Sequence, residues 1–280
     1  MVDEILTQEQ VDEFNDNGVL VLPSFYEHED IERIQYAIYM IVGFVIEKYN
    51  LGIVRESFSP DVFDSGYMEL IAENRAYGSE VYDAVKQIPA FFRLVADVRH
   101  EAILSQLRKT SMAGIAAGGY GIRIDNPFEE KYRATWHQEY PAQLRSPDGL
   151  VFWSPLVKVL PELGPVEFCL GSHKLGAIPV HTNDPNSPEK NGAYSLVLDK
   201  EQELIAKFPQ VAPCTNPGDL VILDFMVLHA SGFNQSDRPR WSMQMRYFNF
   251  KNPTGIKIGW MGSYAAGQDF REIHPELCVD

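Results

Sequence analysis

The chain has 280 residues, 45% of them hydrophobic, with 24 Lys and Arg against 39 Asp and Glu, a formal charge of −15. That composition buries a core rather than staying disordered, and its acidity, with no local basic patch, excludes nucleic acid and anionic membranes as partners. Cys169, Cys214 and Cys278 lack CxxC spacing, the apolar run Tyr36–Ile46 is too short to span a bilayer, and the first residues lack the basic start of a signal peptide, so the expected setting is cytoplasmic with reduced thiols.

The first third reads as helical. Thr7 with Gln10 has the form of a capping box opening a helix through Phe14, which Asn17-Gly18 stops before a short strand, Val19 to Leu22. Ile31, Ile34, Ile38, Ile41 and Val45 recur at spacings of three and four, the stripe of an amphipathic helix. Further helical patterns cover 66–75, 79–87 and 91–109. From about 112 the pattern changes to short β-type runs at 120–125, 150–160, 165–170, 219–228 and 241–250, the spacing of a sandwich or barrel. The segment 181–200 is rich in turn formers and reads as a surface loop or lid. GGYG at 118–121 lacks the third glycine and the following helix of a nucleotide loop, and fits a strand edge better. One domain is expected, with 1–110 as helical support, 111–250 as the β core and 251–280 as a C-terminal segment.

Two segments carry candidate chemistry. In WHQEYP, His137 and Glu139 at i and i+2 project from the same side of an extended segment and can meet one ion. In PGDLVILDFMVLH, a turn feeds an apolar strand that delivers His229 at its far end. Two histidines and one carboxylate leave three positions open, the facial arrangement of non-haem Fe(II). After a turn, Arg240 begins the next strand with Ser242 two residues on, so a guanidinium fork and a hydroxyl on one face can hold a carboxylate. A zinc hydrolase can also be built on His, Glu and His, but it leaves Arg240 and Ser242 without a purpose.

Together, WHQEYP, VFWSPLVKVLPELGPVEFCLGSHKLG and PGDLVILDFMVLHASGFNQSDRPRWSM resemble the phytanoyl-CoA dioxygenase family of Fe(II)/2-oxoglutarate oxygenases, and LTQEQVDEFNDNGVLVLPSF is similar to its first helix and strand. The likeness covers roughly residues 5–25 and 120–250. It implies a mainly β fold with helices: a double-stranded β-helix, the cupin-like jelly roll, behind an N-terminal helical layer. It implies that His137 and His229 ligate iron, with Glu139 where the family usually has Asp. Arg240 would bind the distal carboxylate of 2-oxoglutarate, and Trp153 and Ser154 would line the cosubstrate pocket. Gly171-Ser172-His173 matches a PGSH turn with Leu170 in place of Pro, and His173 is read as structural. The implied reaction consumes O2 and 2-oxoglutarate, releases succinate and CO2, and hydroxylates a small, polar or sugar-like metabolite. Arg123 and Arg145 are candidate anchors for a substrate anion, with Tyr140, Gln143 and the 181–200 loop beside them. The C-terminal segment, with Trp260, Met261, Tyr264 and Phe270, is expected to cover the site or pack on a second subunit. The retained carboxylate argues against halogenation. The longer Glu139 also fits a jelly roll that binds without turnover.

Overall fold

The computed structural model describes residues 4–184, 196–262 and 269–279. Helix α1 (Gln8–Asn17) opens on the predicted capping box, with Thr7 and Gln10 each satisfying the other's backbone N–H. It ends at Gly18, whose φ is 75° and where a Cβ would fall 2.4 Å from His173 Nδ1, so glycine serves both the turn and the close approach. The ring of His173 also meets the Asn15 carbonyl at 3.1 Å, tying its turn to α1. Helix α2 (His28–Lys48) buries Ile31, Ile34, Ile38 and Val45 as the stripe requires. It is followed by α3 (Tyr67–Glu73) and α4 (Arg75–Val85). The single helix expected over 91–109 is two, α5 (Pro89–Val95) and α6 (Val98–Arg108), because the Asp97 carboxylate accepts the Arg99 N–H and starts a new helix.

Eleven strands follow in the described residues: β1 (Val19–Leu22), β2 (Ala113–Ile115), β3 (Gly121–Asp125), β4 (Gly149–Pro155), β5 (Val166–Cys169), β6 (Val180–His181), β7 (Val197–Leu198), β8 (Gln210–Val211), β9 (Leu220–Asp224), β10 (His229–Ser231) and β11 (Arg240–Asn249). The larger sheet runs β1-β9-β4-β11-β2, with β3 also on β11. A smaller sheet runs β10-β5-β8, and β6 pairs with β7. The named strand pairs are antiparallel, and the sheets and helices are those of a double-stranded β-helix with an N-terminal helical layer.

The register of β11 sorts its side chains. Met243, Met245 and Tyr247 face the helices with Phe152 and Ile222, in one hydrophobic cluster with Ile34, Ile38 and Phe91. Within that layer His100 stacks on Phe152 at 4.3 Å and meets the Tyr26 hydroxyl through Nε2 at 2.7 Å. Arg240, Ser242, Gln244 and Arg246 face the other way, opposite Asp125, Arg123, Trp153 and Val151. This second face, between the two sheets, is where the polar groups gather.

The apolar run at 219–228 is not one strand. β9 ends at Asp224, whose carboxylate accepts the Met226 N–H and whose carbonyl accepts that of Val227, turning the chain across to the smaller sheet. His229 therefore begins β10 rather than ending β9. In the C-terminal segment, Phe270 lies in a second cluster with Leu144, Cys169 and Leu228. Tyr264 and most of the 181–200 segment lie outside the described residues. No helix among the described residues is long and apolar enough to cross a membrane.

Candidate metal and cosubstrate site

The crossover after β9 sets His229 directly opposite His137, the two joined by reciprocal backbone hydrogen bonds of 3.0 and 3.1 Å. Each imidazole is oriented from behind, with Nδ1 on a carbonyl two residues earlier: Thr135 at 2.7 Å for His137, Val227 at 3.0 Å for His229. An Nδ1–H held this way leaves Nε2 as the ring atom that can ligate a metal. Burial, with His229 alongside, pushes His137 down to about 3, so its ring is neutral near pH 7.

Glu139 reaches the same point by a route the sequence pattern does not indicate. Gln138 is extended, but Glu139 is the first residue of a one-turn helix, α7 (Glu139–Gln143), so the H-x-E segment is not a continuous strand. Gln138 holds this bend in place, donating to the Gly176 and Met226 carbonyls and accepting from the Ile178 N–H. One ligand atom each from His137, Glu139 and His229 lies within 4.8 Å of the others. Burial opposes a charge on Glu139, yet the Arg246 guanidinium holds its carboxyl well below the usual range. Nε of Arg246 donates to Glu139 Oε1 at 2.6 Å, while Oε2 faces His229 Nε2 at 3.7 Å. Two imidazoles and one carboxylate make a suitable donor set for Fe(II).

A small cavity of about 70 Å³ beside this trio is lined by Trp153, Val151, Leu223, Ser231, Arg240 and Gln244 among others. Arg240 is 1% exposed. Its Nη2 donates to Asp125 at 2.9 Å, but its Nε and Nη1 have no hydrogen-bond partner, nor does the hydroxyl of Ser242 next to it on the same face. Unmatched buried donors of a charged group are costly, and a carboxylate ligand supplies the acceptors they lack. Asp125 is shared with Arg123, at 2.8 Å; burial opposes its charge, but the two arginines hold its carboxyl below its ordinary value. Arg240, with two donors still unmatched beside this pair, is suited to an anion.

A larger cavity of about 440 Å³ adjoins His137 and Glu139 and is lined also by Tyr82, Lys86, Tyr120, Arg123, Gln143, Arg246, Val180, Leu196 and Leu198. Of the predicted residues, Arg123 lines both cavities, Trp153 lines the smaller and Gln143 the larger. Three predicted placements are corrected. Ser154 alternates with Trp153 along β4 and faces the helices opposite Met243, because neighbours on a strand cannot share a face. Tyr140 is buried away from both cavities with its hydroxyl on His274 Nε2 at 2.6 Å. Arg145, at a positive φ of 59°, turns its guanidinium to the Ala117 carbonyl and lines neither cavity. Asp125, Gln138, Gln244 and Arg246 were not expected. The alternation of polar 240, 242, 244 and 246 with apolar 241, 243, 245 and 247 is the signal that marks Gln244 and Arg246 as facing the barrel interior.

The sequence profile described as phytanoyl-CoA dioxygenase (PhyH) matches residues 14–242, most of the chain. The chain belongs to the phytanoyl-CoA dioxygenase family. No curated protein matches it closely enough to count as a relative. Among solved structures it is similar to EctD from S. alaskensis with 2-oxoglutarate and 5-hydroxyectoine, at 18% identity over 90% of this chain and 79% of that one, TM-score 0.60. It is similar also to the non-haem α-ketoglutarate-dependent carbocyclase SnoK from nogalamycin biosynthesis, at 16% identity over 94% of both chains, TM-score 0.57. A third is the epimerase SnoN with Fe3+, α-ketoglutarate and nogalamycin RO, at 17% identity over 90% of this chain and 88% of that one, TM-score 0.55. At these identities the likeness establishes the fold, and the family match with the His137, Glu139 and His229 group establishes an enzyme class that uses iron and 2-oxoglutarate.

Proposed function

We propose that this phytanoyl-CoA dioxygenase family member is an Fe(II)/2-oxoglutarate-dependent hydroxylase of a small polar metabolite. The observation that carries the proposal is the pairing, in one cavity system, of the His137, Glu139 and His229 group with an Arg240 whose Nε and Nη1 have no partner. In this proposal His137, Glu139 and His229 hold iron, and Arg240 with Ser242 receives the distal carboxylate of 2-oxoglutarate. Trp153 forms a wall of that pocket. Bound iron, with 2-oxoglutarate and O2, supplies the oxidising chemistry that ends in succinate, CO2 and an oxidised substrate. The chain's own residues hold the reactants in line and keep the smaller cavity free of bulk water.

A cavity of about 440 Å³ is in the range for a small metabolite taken whole. Among its lining residues, Lys86, Arg123, Gln143 and Tyr120 suit hydroxyls or an anionic group, while Val180, Leu196 and Leu198 suit the carbon frame. Epimerisation and ring closure, named for similar structures, use the same kind of site, so the outcome is decided by product analysis. With Fe(II), ascorbate and O2, the protein is expected to convert 2-oxoglutarate slowly to succinate without substrate, faster with one. His137→Ala should abolish both. Succinate formation that survives His137→Ala, or none under any condition, would contradict the proposal.

A further inference from the structure

Glu139 presents an oxygenase of this kind with a difficulty of geometry. A glutamate has one more rotatable bond than an aspartate, and either of its oxygens, or both, can turn to a metal. Bidentate ligation would fill one of the three positions that a bidentate cosubstrate and O2 need between them. The structure assigns the solution of this difficulty to Arg246, as a positioning residue that holds Glu139 to a single ligating oxygen; the assignment rests on the iron-site reading above.

Arg246 captures Oε1 through Nε at 2.6 Å, which leaves Oε2 as the oxygen turned toward His229. The guanidinium is not free to follow the carboxylate, because its other two nitrogens are committed. Nη1 donates to the Gly119 carbonyl at 3.1 Å and Nη2 to Gln244 Oε1 at 2.9 Å. Its backbone is pinned in the central strand β11 between β4 and the segment at Ala116. The pair is largely buried, with 4% of the Glu139 side chain and 15% of the Arg246 side chain exposed, so water competes little for Oε1. The rigid planar fork matters here: lysine offers the same charge as a mobile point donor and cannot hold Glu139, Gln244 and Gly119 at once.

The test uses nitric oxide as a spectroscopic substitute for O2. Fe(II) and 2-oxoglutarate are loaded anaerobically on wild type, Arg246→Met and Arg246→Lys, nitric oxide is titrated, and the electron paramagnetic resonance signal of the nitrosyl adduct is followed. The Met variant is expected to bind Fe(II) and 2-oxoglutarate but to take up nitric oxide at least about tenfold more weakly, with altered signal shape. The Lys variant should fall between the two, and if the Met variant does not fold, a weakened Lys variant carries the same conclusion. Nitric oxide affinity and signal shape within about twofold of wild type in the folded variants would overturn the assignment. Failure of wild type itself to bind Fe(II) would overturn the iron-site proposal instead, and is distinguishable on the first titration.

Discussion

Arg240 is the residue on which the cosubstrate assignment turns. It is enclosed, tied by one nitrogen to Asp125 and left with unmatched donors on a cavity that adjoins the histidine pair. Two charge-assisted hydrogen bonds to a carboxylate are each worth about 1.5–3 kcal/mol, so Arg240→Ala should weaken 2-oxoglutarate binding at least about 100-fold while Fe(II) binding persists. Equilibrium dialysis with labelled 2-oxoglutarate measures this, and comparable affinity in the variant would place the cosubstrate elsewhere. Glu139 answers to stability as well as to metal. Glu139→Ala strands Arg246 beside an apolar gap, and breaking such a buried pair costs about 3 kcal/mol or more. Urea unfolding of the metal-free variant should show that loss, and an unchanged midpoint would mean that Arg246 finds another partner. His137, Glu139, His229 and Arg240 were legible in the sequence because their residue types are unusual beside apolar strands. Arg246 and Asp125 were not, because only the tertiary register sets Arg246 beside Glu139 and Asp125 opposite Arg240.

The elements explain why some expectations hold and others shift. Helix starts with a side-chain cap, such as Thr7, are local events and are read directly from sequence. The Asp97 break in the 91–109 pattern and the Asp224 turn after β9 are equally local, yet both hide inside apolar runs that read as continuous. The second of these carries His229 from one sheet to the other, and without it the histidines would not meet. Gln138 is the wedge for the opposing segment: three hydrogen bonds to Gly176, Ile178 and Met226 fix the bend that aims Glu139. In the helix-facing layer, burial pushes His100 down to about 3 despite nearby Asp97, from an ordinary value of 6.5. Between those values the unfolded chain takes up a proton that the folded chain refuses, so stability is complete above pH 6.5 and falls as the pH drops toward 3. The slope from this group is about 1.4 kcal/mol per pH unit. His100→Phe should flatten the dependence of the urea midpoint on pH between 6 and 4; an identical slope in the variant would contradict the buried neutral ring.

For the whole molecule, a chain of charge −15 must admit a dianion. Long-range attraction is of the wrong sign, so binding depends on local cations, with Arg240 and Arg123, both paired with Asp125, at the cavity wall. Because these groups are buried, salt screens them weakly. Raising sodium chloride from 0.05 to 0.5 M should change 2-oxoglutarate affinity by less than about threefold, and a tenfold loss would point to a surface site. The change from helices to strands near residue 112 was visible in the periodicities. The pairing of β1, far away in sequence, with β9 was not visible, since register is set by tertiary packing rather than by either segment alone.

The most direct test of the central claim is an anaerobic titration of the purified protein with Fe(II) and then 2-oxoglutarate, followed by visible absorption. A weak metal-to-ligand charge-transfer band should appear, saturate at one 2-oxoglutarate per chain and be absent in His229→Ala. A protein that binds no Fe(II), or binds it without the band at saturating 2-oxoglutarate, would contradict that claim.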